Sequence, residues 1–264
     1  MEMTFEKQGF GKRLKSMLKV DFRRMFTMPL VYIMAGVCLI LPILILVMTS
    51  MMGGTTVDPE TGAETAVEGF TNVWQSIGSM SGSSMSMDLT SMCNINMLYF
   101  LAAVLVCIFV SDDFKSGYAK NLFTVRSKRM DYVFSKTLVG FVGCAIMLVA
   151  YFIGAMIGGA IAGLSFDAGA AGAGGIIMCI LSKIFLMAIF VSIDLLLSVL
   201  AKQRLWLSIL GSFAVGMLLF TMIPMIAPLN ATFLNLIMCI AGGALFGAGM
   251  GALSNLVLQK TSLV

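Results

Sequence analysis

Apolar and polar residues of this chain alternate in long blocks. Six blocks are almost wholly apolar: Pro29 to Met52, Ser91 to Val110, Leu138 to Ala162, Gly175 to Leu200, Leu205 to Ile226 and Ala231 to Leu258. A helix needs about 20 apolar residues to cross a hydrocarbon core of about 30 Å, so each block is long enough, and the second is closest to the minimum. The pattern predicts an all-α membrane protein with six transmembrane helices.

The cations follow the same blocks and predict the orientation. Of the 17 Lys and Arg residues, seven precede the first block, six lie between the second and third, two lie between the fourth and fifth, and one follows the sixth. The polar segments 53–90, 163–174 and 227–230 contain none. Because cationic loops stay on the cytoplasmic side, we expect both termini and the segment 111–137 to be cytoplasmic, and the loop 53–90 to be extracellular.

Composition excludes several function classes. Only 11% of the residues are charged, whereas a soluble protein has about 25%. The absence of His excludes Ser-His and Cys-His catalysis and the usual zinc sites. No segment fits the phosphate-binding pattern G-x-x-x-x-G-K-[ST], and five of the six Cys lie inside apolar blocks. We therefore expect no enzyme activity, no cofactor in this chain, no disulfide framework and no nucleic-acid partner.

Residues 1–28, before the first block, are predicted to form an amphipathic helix at the membrane surface. At 100° per residue, one arc of this helix is apolar and most cations lie opposite. The apolar arc contains Phe10, Leu14, Met17, Leu18, Phe22 and Met25. Asp21 falls on the same arc, which predicts a contact with protein at that point. The alternative is a cationic flank that happens to be helical.

The segment 111–137 is patterned like a short helix outside the membrane. Ser111, Asp112 and Asp113 offer an N-cap and an acidic first turn. Phe114, Tyr118 and Leu122 then recur at a spacing of four and form one apolar stripe. Either the span ends of the chain itself or a cytosolic partner must cover that stripe.

The same segment carries a family resemblance. The run 113–121, Asp-Phe-Lys-Ser-Gly-Tyr-Ala-Lys-Asn, followed by Arg126 and Lys136, resembles the first cytoplasmic loop of small bacterial ABC-2 type transporter permeases. The order of features is also similar: a basic amphipathic N-terminal helix, six spans, a long first outer loop and no ATPase in the chain. The chain departs from the family at Asp113, where Glu is frequent, and at Val125, where Pro is frequent.

The resemblance implies a permease subunit of the bacterial plasma membrane, in the six-helix domain 29–264. It would pair with a second copy or a paralogue and bind two copies of a separate cytosolic ABC ATPase that carries the ATP and Mg²⁺. By position, the ATPase contacts would be Asp113, Phe114, Gly117, Tyr118, Lys120 and Asn121. Arg126 and Lys136 would fix the loop at the membrane surface.

Two charges lie inside the fourth block. Lys183 and Asp194 are eleven residues apart, hence on one helix face but about 16 Å apart along the axis, so they do not pair directly. Lys183 either snorkels to the outer surface or lines a translocation path with Asp194 and Ser192. Asp194 is close enough to the inner end to pair with Lys202, Arg204 or a cation of the first loop.

Small residues at a spacing of four predict close helix packing, either within one subunit or between subunits. The pairs are Gly154 and Gly158, and Gly159 and Gly163; Gly243, Gly247 and Gly251 form a triple.

The outer loop contains two further patterns. Val67, Phe70, Trp74 and Ile77 predict a short amphipathic helix with Trp74 at the lipid interface. Soft sulfur groups follow in the sequence: Met80, Met85, Met87, Met92, Cys93 and Met97. They raise the alternative of Cu(I) binding, although Met is frequent throughout this chain and no metal site is expected.

Taken together, the patterns and the resemblance predict a permease that exports an amphiphile, such as a peptide, a lipid or a drug, with energy from a partner ATPase. An amphiphile is expected because no hydrophilic pore is evident in the sequence. The alternatives are an ATP-independent secondary transporter and a membrane protein of peptide immunity or sensing. A secondary carrier should have inverted repeats and broken midplane helices, and Pro42 and Pro224 alone do not make them.

Overall fold

The structure, a computed structural model, describes residues 9–52, 54–57, 64–67, 70–78, 93–125, 129–220 and 222–260. It is helical apart from one antiparallel pair of short strands, β1 and β2. The helices are α1 (Phe10–Thr27), α2 (Pro29–Met52), α3 (Leu98–Lys115), α4 (Tyr118–Val125), α5 (Arg129–Ala162), α6 (Gly172–Ala201), α7 (Leu205–Phe220), α8 (Ile223–Ile226) and α9 (Phe233–Lys260), and the strands are β1 (Gly54–Val57) and β2 (Glu64–Val67).

Five described helices are long and apolar enough to cross a membrane, as expected for a helical membrane protein. They cover Pro29–Met51, Ile95–Lys115, Arg129–Ala162, Gly172–Ala201 and Phe233–Lys260. Helix α5, which contains the third predicted span, already begins at Arg129. The segment 111–137 is therefore mostly helix rather than loop. In the fifth predicted span, α7 has 16 residues and covers about 24 Å, and the short helix α8 follows it.

Residues 227–229, which follow α8, lie beside the start of α6. A Cβ placed on Gly175 would be 3.4 Å from the carbonyl oxygen of Leu229, and one on Gly78 would be 3.2 Å from the amide nitrogen of Leu229. The Cys179 thiol lies 3.7 Å from the carbonyl oxygen of Ala227. The segment 205–229 therefore returns along α6 to the end at which α6 begins.

Helix α3 is the centre of the bundle. About two thirds of the residues in its most apolar stretch are buried, whereas only about a quarter are buried in the corresponding stretches of α2 and α9. It packs against α2, α5, α6 and α7, while α2 pairs with α5 and α6 pairs with α9. The exposed faces of α2, α5, α7 and α9 consist of large apolar side chains, as a lipid-facing surface requires.

Glycines allow the closest helix contacts within the chain. A Cβ on Gly154 would overlap the carbonyl oxygen of Leu39, and one on Gly158 would be 2.8 Å from the Cα of Ile43. On α9, a Cβ on Gly243 would be 3.2 Å from Ala188 of α6. Gly154, Gly158 and Gly243 are therefore packing positions within one subunit. Gly163 is not, because it follows the end of α5 and a Cβ there would meet no atom within 4 Å.

Residues 70–78 of the outer loop pack on the bundle. Val67 belongs to β2, and the predicted amphipathic helix is instead a single 3₁₀ turn at Val73–Ser76. The indole N–H of Trp74 donates to the carbonyl oxygen of Phe166 at 3.0 Å, so Trp74 is a protein contact rather than a free membrane anchor. The prediction of an interfacial helix here was wrong because Val73 and Ile77 are fully buried in the bundle.

Candidate site at the junction of four helices

A lysine at the start of α5 lies between two buried carboxylates. The Lys136 Nζ is 2.7 Å from Asp113 Oδ2 of α3 and 3.0 Å from Asp21 Oδ1 of α1, and all three side chains have no exposed surface. The ammonium also lies 3.8 Å from the centre of the Phe109 ring. It is not aligned with either carboxylate as a hydrogen-bond donor, so the contacts are charge contacts. We call the group of Asp21, Arg24, Asp113, Tyr118, Tyr132, Ser135 and Lys136 the Lys136 cluster.

Asp113 is held from three sides. Arg24 Nη1 of α1 donates to Asp113 Oδ1 at 2.6 Å, and the Tyr132 hydroxyl of α5 donates to Asp113 Oδ2 at 2.9 Å. With Lys136 as the third partner, the carboxylate is fully engaged. Asp112, the neighbouring acid, is half exposed and lies 3.6 Å from Arg24 Nη2.

Asp21 fixes α1 to α5. The Ser135 hydroxyl donates to Asp21 Oδ2, and a Cβ on Gly143 of α5 would be 3.0 Å from the Met25 sulfur. At the other end of α1, Arg13 Nε donates to Asp131 Oδ2 at 2.9 Å. The prediction that Asp21 marks a protein contact is confirmed.

The cluster is electrically balanced. Asp21 and Asp113 carry two negative charges, and Lys136 and Arg24 carry two positive charges. Breaking a buried pair by removing one partner typically costs about 3–5 kcal/mol, because the other charge is left without compensation. The cluster therefore ties α1, α3 and α5 into one unit.

The turn into α4 depends on one glycine. Helix α3 ends at Lys115, and Gly117 has a φ of 72°, in the left-handed region that glycine adopts without steric cost. This turn places the Tyr118 ring under Arg24, whose guanidinium carbon is 4.1 Å from the ring centre. The Phe123 ring meets the Tyr132 ring edge to face at 5.3 Å.

Two pKa values outside the spans reflect this packing. Burial raises the pKa of the Tyr118 phenol, and the carboxylates of Asp21 and Asp113 raise it further. For Arg24, burial lowers the pKa, but the charge of Asp113 and the hydrogen bond to it outweigh burial and leave the pKa raised. Both groups keep their ordinary protonation state in the site.

The predicted loop residues separate into an inner and an outer set. Asp113 and Phe114 are buried, and Gly117 and Tyr118 are half-buried. Lys120 and Asn121 are exposed, together with Thr124 one turn further along α4. The described part of the chain itself covers most of the stripe Phe114, Tyr118 and Leu122, because Phe114 and Leu122 pack on the core and Arg24 covers Tyr118.

Arg126 lies outside the described residues, as do Met80, Met85, Met87 and Met92 of the sulfur-rich segment. Lys136, expected at the membrane surface, is instead fully buried, because Asp21 and Asp113 compensate its charge. No group of three or more His, Cys, Asp or Glu that could hold a metal occurs in the described ranges.

The three predicted path residues of α6 are enclosed by helices. Lys183 is buried, and its Nζ donates to Asn96 Oδ1 at 2.7 Å, so it does not snorkel. The Ser192 hydroxyl donates to the carbonyl oxygen of Ala188 in its own helix at 2.6 Å. Asp194 is buried with Oδ2 lacking a hydrogen-bond partner, and no ion pair joins it to Lys202, Arg204 or another described cation. Asp194 therefore pairs with neither Lys202 nor Arg204, and it lies near Cys107 and Ser212 instead. Arg126 and Lys128 of the first loop lie outside the described residues.

Sequence reasoning missed part of the site. Tyr132 and Ser135 belong to the run that resembles the permease loop, but neither they nor Arg24 were predicted as site residues. Tyr132 and Lys136 are one helical turn apart, which was a usable signal that they share a face. Asn96, the partner of Lys183, lies in a 3₁₀ turn before α3 and had no signal in the sequence.

Comparison with protein-family models, curated proteins and solved structures gives no match to this chain.

Proposed function

We propose that this chain is the transmembrane subunit of an ATP-binding cassette exporter of the bacterial plasma membrane, with the ABC-2 type of fold. It works with two copies of a separate cytosolic ATPase, which bind the ATP and Mg²⁺, and with a second permease copy or a paralogue. Helix α4 is the coupling element, and α1 lies at the cytoplasmic surface.

The observation that carries the proposal is the two-sided character of α4. Its inner side is joined to the Lys136 cluster through Tyr118, and to α5 through Phe123. Its outer side presents Lys120, Asn121 and Thr124. When the ATPase displaces α4 through its exposed side, α1, α3 and α5 should move together, because buried charges fix these helices to one another. This is the arrangement that a coupling helix needs.

The return of the segment 205–229 supports a six-span topology with both termini in the cytoplasm. Since Leu229 lies beside Gly78 and Gly175, this segment covers the length of α6 although α7 alone is short. Lys202 and Arg204, which follow the C-terminal end of α6, then lie on the cytoplasmic side of the membrane together with α1 and α4.

We infer an amphiphilic substrate. Lys183, Ser192 and Asp194 are enclosed within one subunit, so they line a path only after the helices around them separate. The outward faces of the described helices are apolar, which suits a substrate that enters from, or leaves to, the lipid.

The test is to co-express the tagged chain with the ABC ATPase encoded beside its gene, purify in detergent and measure ATP turnover. Lys120→Glu should reduce co-purification and turnover by roughly tenfold, equivalent to about 1.4 kcal/mol, because it reverses an exposed charge at the expected interface. Lys260→Glu makes the same charge change at the exposed end of α9 and should leave both unchanged. Failure of any such ATPase to co-purify with the wild type would overturn the proposal.

A second candidate, an ion-coupled carrier, is favoured by Asp194 alone. Ionisable residues in membrane spans often mark ion pathways, and this carboxylate has no described cation partner. Substrate uptake into vesicles that follows an imposed ion gradient without ATP, and is lost in Asp194→Asn, would favour the carrier over the ATP-driven exporter.

A further inference from the structure

Three buried side-chain oxygens lie where α3, α6 and α7 meet and have no hydrogen-bond partner among the described residues. They are Asp194 Oδ2, Ser111 Oγ and Ser208 Oγ. Each belongs to a residue with at most 2% of its surface exposed. Buried polar atoms are normally paired with protein or with ordered water, because leaving them unsatisfied is unfavourable. Three such atoms at one helix junction therefore point to a site that binds something.

The three helices present these groups on two levels. Asp194 lies about two turns before the end of α6, and Ser212 lies about two turns after the start of α7, so the two are level across the connection. The Ser212 hydroxyl lies beside the Asp194 carboxyl, and its Oγ is 3.4 Å from Cys107 Sγ of α3. One turn nearer the connection, each helix has a buried serine: Ser111 of α3, Ser198 of α6 and Ser208 of α7.

The Asp194 carboxyl has no counter-charge in the described part of the chain. The titratable and polar groups near it are neutral: Cys107 of α3, Cys144 of α5 and Ser212 of α7. Helix α9 presents glycine to this part of α6, since a Cβ on Gly247 would meet only Ser192 Oγ, at 3.7 Å. An ionised carboxylate without compensation is strongly unfavourable in a bundle core, so this carboxyl needs a bound cation.

A proton fits the site better than a metal ion. Sodium sites in membrane transporters use several oxygens, including backbone carbonyls that are freed where a helix is unwound. Helices α3, α6 and α7 are continuous at this junction, so their carbonyls are used within the helices. The Cys107 thiol, which borders the site, is a soft group that suits soft metals instead. One proton on Asp194 Oδ2 removes the charge and needs no further ligand.

We propose that Asp194 binds one proton, which exchanges with water at the Lys202 end of the bundle through Ser111 and Ser208. Asp194 lies about 12 Å from Lys202 along the helix axis, and the two serines lie about halfway. Ser198 is already engaged, because its hydroxyl donates to the carbonyl oxygen of Asp194 at 2.7 Å.

A serine hydroxyl both accepts and donates, so it accepts a proton from one water and passes its own proton to the next. The arriving proton forms the O–H bond at Asp194 Oδ2, and release reverses these steps. The inference does not depend on the proposed function, because these groups bind a proton whatever drives transport.

The experiment is infrared spectroscopy of the full-length chain in lipid nanodiscs, at a pH where exposed carboxyl groups are ionised. The wild type should show the carbonyl stretch of a protonated carboxylic acid. Asp194→Asn should remove this band, whereas Asp167→Asn, which changes an exposed acid after α5, should retain it. A band that persists in Asp194→Asn, or that is absent from the wild type, would overturn the proposal. Loss of the band on adding sodium at constant pH would assign the site to the metal ion and also overturn it.

Deuterium exchange provides the second arm. Transfer of the wild type to heavy water should shift the Asp194 band. Ser111→Ala combined with Ser208→Ala should slow this shift by roughly tenfold, because hydrogen-bonding positions are removed from the route. Ser182→Ala, which removes a buried hydroxyl nearer the other end of α6, should leave the rate unchanged. Equal rates in the double variant and in Ser182→Ala, or no shift in the wild type, would refute the route.

Discussion

Lys136 shows how a single side chain joins distant parts of this chain. Its ammonium meets acids from α1 and α3, which lie far from it in sequence. Without these acids a buried lysine would be unfavourable by several kcal/mol, because its charge would be unpaired inside a lipid-covered bundle.

We predict that Lys136→Ala lowers the free energy of unfolding by about 3–5 kcal/mol, since Asp21 and Asp113 would then repel each other without a cation between them. Denaturant unfolding in detergent, followed by tryptophan fluorescence, measures this change. Lys12→Ala removes an exposed cation of α1 and should change stability by less than about 0.5 kcal/mol. Equal effects of the two substitutions would contradict the structural role of the cluster.

The pair Lys183 and Asn96 provides a second prediction at this scale. Lys183→Met alone should destabilise by about 1–3 kcal/mol, because the Asn96 amide oxygen loses its donor in a buried site. Lys183→Met combined with Asn96→Leu should recover most of that loss, since replacing both partners with apolar groups leaves no unsatisfied atom. A double variant that is less stable than the single variant would show that the pair has another role.

At the scale of elements, the glycines of α5 determine how closely α2 can approach. Gly154 and Gly158 face α2 around Pro42, where a side chain would collide with backbone atoms. The spacing of these glycines was visible in the sequence, but their partner helix was not, because small-residue spacing identifies a packing face without identifying what packs on it.

We predict that Gly154→Ala destabilises the protein by about 1–3 kcal/mol through overpacking against α2. Gly36→Ala, on α2 itself, adds the same methyl group where no atom lies within 4 Å and should have little effect. Thermal melting in one detergent compares the two variants, and a melting temperature of Gly154→Ala as high as that of Gly36→Ala would refute this packing.

At the scale of the whole molecule, the topology depends on whether the segment 205–229 crosses the membrane, and we expect that it does. In a variant with all six cysteines replaced, we expect a membrane-impermeant maleimide to label Asp167→Cys and Asn230→Cys on intact cells. Gln203→Cys should react only after the cells are opened, because the cations around it keep that connection inside. Labelling of Asn230→Cys only in opened cells would mean that α7 does not cross.

The apolar blocks and the cation pattern by themselves determined that this is a helical membrane protein, because hydrocarbon excludes polar backbone and charge regardless of how the helices meet. They located the apolar part of each of the five long helices. They did not predict that α5 begins at Arg129, before the apolar block that starts at Leu138. Asp21 on an apolar arc already predicted a buried contact.

Only the tertiary structure decided which residues meet. It paired Lys136 with Asp21 and Asp113, removed Asp194 from the reach of Lys202 and Arg204, and replaced the outer helix with a turn packed on Phe166. The physical reason is that periodicity fixes which face of a helix is buried, whereas the partner of a buried charge depends on packing between segments that are distant in sequence.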